Sequence, residues 1–169
     1  MAGFTVAVLV KNQFGVLNRV TSMFRRRRFN ISYLTVSETE SPEYSRITVG
    51  SSGSDTEKRQ LFDQLYKLPD VCSIKELHDD DSVSYELLLI KVKNDPETRS
   101  DVKDAAEAFR AKTVDYTRES VIMQITGSTQ RIDAFIDIMR DFTILEICRT
   151  GVVSLERGSS TIRKTELEL

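Results

Sequence analysis

Between Asn12 and Asn30 lies the stretch whose residue types and spacing best suit ligand chemistry. It runs Asn12-Gln13-Phe14-Gly15-Val16-Leu17, continues as an amphipathic helical pattern, and reaches Asn30-Ile31 at the start of the next strand. A glycine at a strand-to-helix turn lets a ligand approach the backbone, because it has no side chain to intervene. The helix it opens offers unpaired N–H groups and a partial positive charge, which suits a carboxylate or phosphate. The turn holds no acid, base or nucleophile. Its chemistry is therefore the binding of a small anion, not its transformation.

Two copies of one pattern position these residues. In the first, Phe4, Val6, Val8 and Val10 alternate along a strand, with Ala7 and Leu9 on its other face. Val16, Leu17, Val20, Met23 and Phe24 follow at helical spacing and end in Arg25-Arg26-Arg27-Arg28, a charge run that complements the helix dipole. Strands are expected from Ile31 to Thr39 and from Ser45 to Gly50. Ser52-Gly53-Ser54-Asp55 is expected to be the loop that caps a second helix, whose stripe is Leu61, Leu65 and Leu68. Val71 to Leu77 closes the unit. The order is βαββαβ, the ferredoxin-like plan.

The acidic break His78-Asp79-Asp80-Asp81-Ser82 separates the halves, and the order then recurs. Tyr85 to Lys93 reads as a strand. Asp95-Pro96 starts a helix with Val102, Ala105, Ala106 and Phe109 on one face. Two short strands follow, then Gly127-Ser128 and a helix turning Ile132, Phe135, Ile136 and Met139 inward. Ile144 to Thr150 ends the pattern, with Val152 to Leu155 extending it. The fold class is thus α+β, two tandem ferredoxin-like units. Residues 1–78 form the first, 79–83 the linker and 84–157 the second. The polar end, 158–169, is expected to be frayed.

Composition narrows the function classes. The net charge of −2 supplies no basic field for nucleic acid. The apolar runs are too short to span a bilayer, and no leader is legible, so a cytoplasmic protein is expected. Cys72 and Cys148 lie in apolar segments and are expected to be buried reduced thiols, and the single histidine, His78, to be at the surface. Apolar residues on both faces of the first strand suggest that a partner covers the open face, and hence a dimer.

The opening Val8-Leu9-Val10-Lys11-Asn12-Gln13-Phe14-Gly15-Val16-Leu17-Asn18-Arg19-Val20 resembles that of an ACT domain, the amino-acid-sensing βαββαβ module. The continuation, Phe29-Asn30-Ile31, Leu34-Thr35-Val36, Ser45-Arg46-Ile47-Thr48 and Gln64-Leu65-Tyr66-Lys67-Leu68, resembles the small regulatory subunit of acetolactate synthase. So do Glu86-Leu87-Leu88-Leu89-Ile90-Lys91-Val92, Ile132-Asp133-Ala134-Phe135 and Arg149-Thr150-Gly151-Val152-Val153 in the second half.

The resemblance implies a non-catalytic subunit that activates the catalytic large subunit and confers feedback inhibition by a branched-chain amino acid, usually valine. Thiamine diphosphate, magnesium and FAD belong to that partner. It also implies an effector site shared by two protomers. Backbone N–H groups of Gly15, Val16 and Leu17 with Asn12 would hold the carboxylate. Asn30 and Ile31 of the neighbour would take the ammonium and the isopropyl group. No metal ligands are expected in this chain. Two departures stand out. Relatives usually carry glycine where this chain has Arg28, which is expected to cost on the order of 1 kcal/mol if left-handed and could redirect the loop before Asn30. Near Arg140 they often carry proline and glycine, where this chain has Asp141 and Thr143. On residue types alone Gly15 could be a plain turn glycine and Asn12 and Asn30 plain loop anchors. The alternative function is an ACT-type sensor serving another enzyme or a promoter. An RNA-binding domain shares the strand order but needs aromatics that Ser45–Gly50 does not supply. A small acylphosphatase-like hydrolase fits the fold alone.

Overall fold

The structure, a computed structural model, describes residues 2–163, which divide into two compact units. In the first, β1 (Ala2–Lys11), β2 (Ile31–Glu38), β3 (Tyr44–Gly53) and β4 (Val71–Leu77) form an antiparallel sheet in the order β2-β3-β1-β4. Helices α1 (Val16–Arg26) and α2 (Asp55–Tyr66) complete the βαββαβ order. Alternation on β1 buries Val6, Val8 and Val10 with Val20 and Phe24 of α1 and Leu61 and Leu65 of α2. Leu17 stays out of this core, 41% exposed. Ser54 and Glu57 cap α2 reciprocally. The Ser54 N–H donates to the Glu57 carboxylate at 2.7 Å, and the Glu57 N–H to the Ser54 hydroxyl at 3.3 Å. The Ser54 N–H and the Ser54 hydroxyl, both donating to it, hold the Glu57 carboxyl below its usual range. Ser52 and Gly53, expected in a loop, end β3 instead, because Ser52 pairs with Gly3 across the sheet.

The second unit, Ser84–Val152, repeats the plan. Strands β5 (Ser82–Lys93), β6 (Lys112–Tyr116), β7 (Ser120–Gly127) and β8 (Ile144–Arg149) lie in the order β6-β7-β5-β8. With them run α3 (Arg99–Ala108) and α4 (Thr129–Met139). Leu88, Ile90 and Val92 of β5 share a core with Ile132, Phe135 and Met139 of α4. The third helix starts later than Asp95-Pro96. The Asp95 carboxylate accepts from the Glu97 N–H at 3.2 Å and turns the chain before α3 begins. Thr143, in the turn after α4, accepts through its carbonyl from the Lys93 N–H at 2.9 Å, so its departure from the family pattern sits in an ordinary connection.

Glu86 is 3% exposed in this core. Arg149 grips it with two bonds, 2.6 Å from Nε and 2.9 Å from Nη2, and reaches Asp133 on α4 at 2.8 Å. One guanidinium thus joins β5, β8 and α4. The bond to Glu86 raises the Arg149 pKa.

The chain then leaves the second unit. Gly151, at φ 75°, ends the run of β8, and β9 (Val153–Glu156) and the described residues after it belong to the first unit. Arg46 of β3 donates to the Ser154 carbonyl at 2.7 Å, Lys75 of β4 pairs with Glu156 and donates to Ser160 at 2.6 Å, and Arg163 pairs with Glu40 at 2.7 Å. Leu9, Leu77, Leu155 and Ile162 bound the space between this segment and the sheet. Leu9, expected to need a partner's cover, is 1% exposed within one chain. The expected extension of β8 is therefore a separate strand, β9, which pairs with β5 and clusters with the first unit. The end expected to be frayed is placed through Arg163, held by hydrogen bonds from Lys75 to Ser160 and Thr161 and by the Arg163–Glu40 ion pair. Its remaining residues, 164–169, lie outside the described residues. Both cysteines are free, but only Cys72 is sheltered, and burial raises its thiol pKa. Cys148, expected to be buried, is exposed because β8 is an edge strand. His78 is at the surface, as expected.

Candidate effector site

The turn between β1 and α1 is held from below. The Asn12 N–H donates to the Glu43 carbonyl at 2.7 Å. Its side-chain amide donates to Glu38 at 3.0 Å and to the Pro42 carbonyl at 2.9 Å. Asn12 therefore spends its donors on the β2–β3 turn, and only its carbonyl oxygen is left for a ligand. Gly15 takes φ 80° as the residue capping α1, a conformation that side chains resist. An added Cβ there would lie 3.4 Å from Arg19 Nη1.

No side chain caps α1, and its first turn carries no acid. The Val16 N–H donates to the Gln13 carbonyl at 3.3 Å. Among the described residues the N–H groups of Gly15, Leu17 and Asn18 have no partner. Of the donors expected from the sequence, Gly15 and Leu17 are thus open, the Val16 N–H faces the Gln13 carbonyl, and Asn18 adds a further open donor. Val16 contributes its side chain to the core instead, at 3% exposure. Arg19, one turn on, is neutralised by Asp70 at 2.7 Å.

Asn30 and Ile31 lie beyond the other end of α1. Eleven helical residues at about 1.5 Å each put some 16 Å between the two ends. The sheet agrees: Ile31 and Phe4 both oppose Ser51 on β3, whereas Asn12 follows Lys11 at the far end of β1. One chain thus does not bring Asn30 to the Gly15 turn. Asn30 is exposed, its carbonyl accepts from Ser51 Oγ at 2.7 Å, and its side-chain amide has no partner among the described residues. Ile31 packs at the edge of the first core.

Arg28 stands between α1 and Asn30. It takes φ 61° itself. The Arg28 N–H donates to the Arg25 carbonyl at 3.2 Å and the Phe29 N–H to the Phe24 carbonyl at 3.0 Å. With the Phe24 and Phe29 rings packed edge-on at 6.3 Å, this is a complete left-handed helix cap. Arginine occupies a position suited to glycine. Arg28→Gly is expected to stabilise the chain by about 0.5–1 kcal/mol, the relieved strain less the added freedom of the unfolded chain. Urea midpoints of the two proteins check this; a lower midpoint for the glycine variant would contradict it.

Phe14, beside Gly15, is fully exposed. Only its place outside the apolar stripe of α1 could have marked it in the sequence. The roles of Glu38, Asp70 and Asn18 had no sequence signal, because each depends on which loops meet at the turn.

Comparison with known proteins places this geometry. A model described as the AHAS small subunit-like ACT domain matches residues 6–73, and one described as the small subunit of acetolactate synthase matches residues 85–158. The probable acetolactate synthase small subunit of Archaeoglobus fulgidus is 44% identical over 155 residues, 92% of this chain and 97% of that protein. The chain belongs to the acetolactate synthase small-subunit family. The family protein of Mycolicibacterium smegmatis is likewise 44% identical, over 91% of each chain. The crystal structure of the acetolactate synthase small subunit from Thermotoga maritima superposes with a TM-score of 0.87 at 36% identity, covering 95% of this chain and all of the other. The fold is thus that of tandem ferredoxin-like units, the first an ACT-type regulatory domain, and the chain has a regulatory role in the enzyme beside a catalytic subunit. No helix among the described residues is long and apolar enough to cross a membrane. No cluster of metal-binding side chains occurs among them.

Proposed function

We propose that this chain is a non-catalytic subunit that activates the catalytic subunit of acetolactate synthase and transmits feedback inhibition by valine or another branched-chain amino acid in the cytoplasm. The observation that carries the effector role is the split site. Open N–H donors stand at one end of α1, and an unpartnered Asn30 amide stands beyond the other. A homodimer that sets the Gly15 turn of one protomer against Asn30 and Ile31 of the next completes a zwitterion site. The donors take the carboxylate, a contact worth roughly 0.3–2 kcal/mol at a helix N-terminus. The Asn30 amide oxygen takes the ammonium. Ile31 and the half-exposed Leu17 supply apolar contact to the branched side chain, at roughly 0.8 kcal/mol per buried methylene-sized group.

Because the ligand bridges two protomers, it stabilises one dimer geometry over others, and that differential contact is what a switch requires. The chemistry of joining two 2-oxo acids, with thiamine diphosphate, magnesium and FAD, resides in the catalytic partner. The test is acetolactate formation by that partner alone, with this chain, and with this chain plus valine. Stimulation that valine reverses is the expected result. Stimulation that no branched-chain amino acid reverses would remove the effector role, and absence of both stimulation and association would remove the partnership.

A further inference from the structure

The second unit contains a cavity of about 420 Å³ between α3 and the β6–β7 edge of its sheet. That volume lies within the range of small-molecule sites, about 300–1,000 Å³. Its floor is Val102, Ala106, Val121 and Met123, none more than 6% exposed. The space exists because α3 faces the sheet with alanine rather than a large side chain, which leaves Thr113 and Tyr116 of β6 uncovered.

The rim carries three cations, Lys93, Arg99 and Lys103. Two have acidic partners: Lys93 meets Asp95 at 3.1 Å, and Lys103 meets Glu107 at 3.6 Å. Arg99 has none within ion-pair distance among the described residues. Its Nε donates to the side-chain oxygen of Asn94 at 2.8 Å, a neutral group. Asn94 is itself fixed, 5% exposed, with its amide donating to the Thr117 carbonyl at 2.5 Å and its N–H to the Glu119 carbonyl at 2.9 Å. A rigid, buried amide therefore holds a guanidinium that feels Asp95 only from beyond ion-pair distance beside an apolar hollow, and among the described residues its terminal nitrogens have no hydrogen-bond partner.

We propose that this cavity binds a short aliphatic monocarboxylic acid, with the carboxylate on Arg99 and the hydrocarbon over Met123 and Val102. A guanidinium fork matches a carboxylate in charge and shape. One net positive charge suits a monoanion better than a phosphate dianion, and the apolar floor requires an aliphatic body. The site is independent of the effector site at Gly15, so either can fail alone.

The probe is 4-methylpentanoate, titrated into the full chain while its methyl groups are followed by NMR, with 4-methylpentanamide as the uncharged twin. Saturable shifts at Met123, Val102 and Val121 are expected for the acid. Binding is expected to be about tenfold or more weaker for the amide and for Arg99→Gln, reflecting a lost charge-assisted bond. Arg99 is exposed, so the variant is expected to fold. No shift at these methyls, shifts confined to Val16 and Leu17 in the first unit, or equal binding by Arg99→Gln would each overturn the proposal.

Discussion

Arg149→Met is expected to destabilise the second unit by about 3 kcal/mol, the low end of the range for breaking a buried ion pair. The low end applies because Arg149 keeps 33% of its side-chain exposure while Glu86 keeps 3%. The loss comes from Glu86, which would remain in the core with neither partner nor water. Removing both charges together, by Glu86→Gln with Arg149→Met, is expected to recover part of the loss, since no unpaired ion is then buried. Chemical denaturation of the three proteins, followed by a probe placed in residues 84–152, measures both effects. A single-variant cost under about 1 kcal/mol would place the pair among surface bridges. The same contact predicts that Asp133→Asn, whose carboxylate is 53% exposed, costs far less.

Gly15→Asp is expected to abolish inhibition by valine while leaving association with the catalytic subunit intact. The new Cβ has room, with Arg19 Nη1 3.4 Å away, and the backbone strain that any side chain adds at φ 80° is smaller for aspartate than for most residues. Its carboxylate would sit beside the open N–H groups of Leu17 and Asn18 and occupy them. A ligand carboxylate about 4 Å away would also be repelled by roughly 1–4 kcal/mol, which weakens binding about fivefold to a thousandfold. Calorimetric titration with valine, beside an inhibition curve, separates lost binding from lost transmission. Undiminished valine binding in this variant would show that the anion site lies elsewhere. Gly15→Ala, which adds strain but no charge, is expected to weaken inhibition only modestly.

The sequence revealed most where burial is periodic. Alternation in Phe4–Val10 and the stripes of α1 and α4 placed the elements of both units, and their shared βαββαβ order followed. The ferredoxin-like plan was legible for that reason. The Gly15 turn was legible as well, because a glycine between strand and helix patterns has few other uses. Three features escaped. The segment after Gly151 carries few apolar residues, and its anchors, Arg46, Lys75 and Arg163, find their partners only in three dimensions. Glu86 falls on the same face of its strand as Leu88, Ile90 and Val92, and the carboxylate that alternation thus puts inward is made tolerable by Arg149, 63 positions away, a partner the sequence does not point to. That the Gln13 carbonyl takes the Val16 N–H rather than that of Leu17 depended on the local turn geometry, which residue types do not specify.

The return of residues 153–163 to the first unit has a consequence for biosynthesis. That unit cannot be finished when its own strands have been made, because 69 residues, Ser84–Val152, are translated before its last piece. At about 5–20 residues per second this leaves the sheet face around Leu9 uncovered for several seconds in each round of synthesis. The contact from Arg46 to Ser154 spans 108 positions, so closing it is among the most entropically expensive steps of folding. The nascent chain therefore passes through a state in which its N-terminal module has a core but an open, apolar back. A holdase would recognise that state, and a ribosome stalled within the second module would strand it.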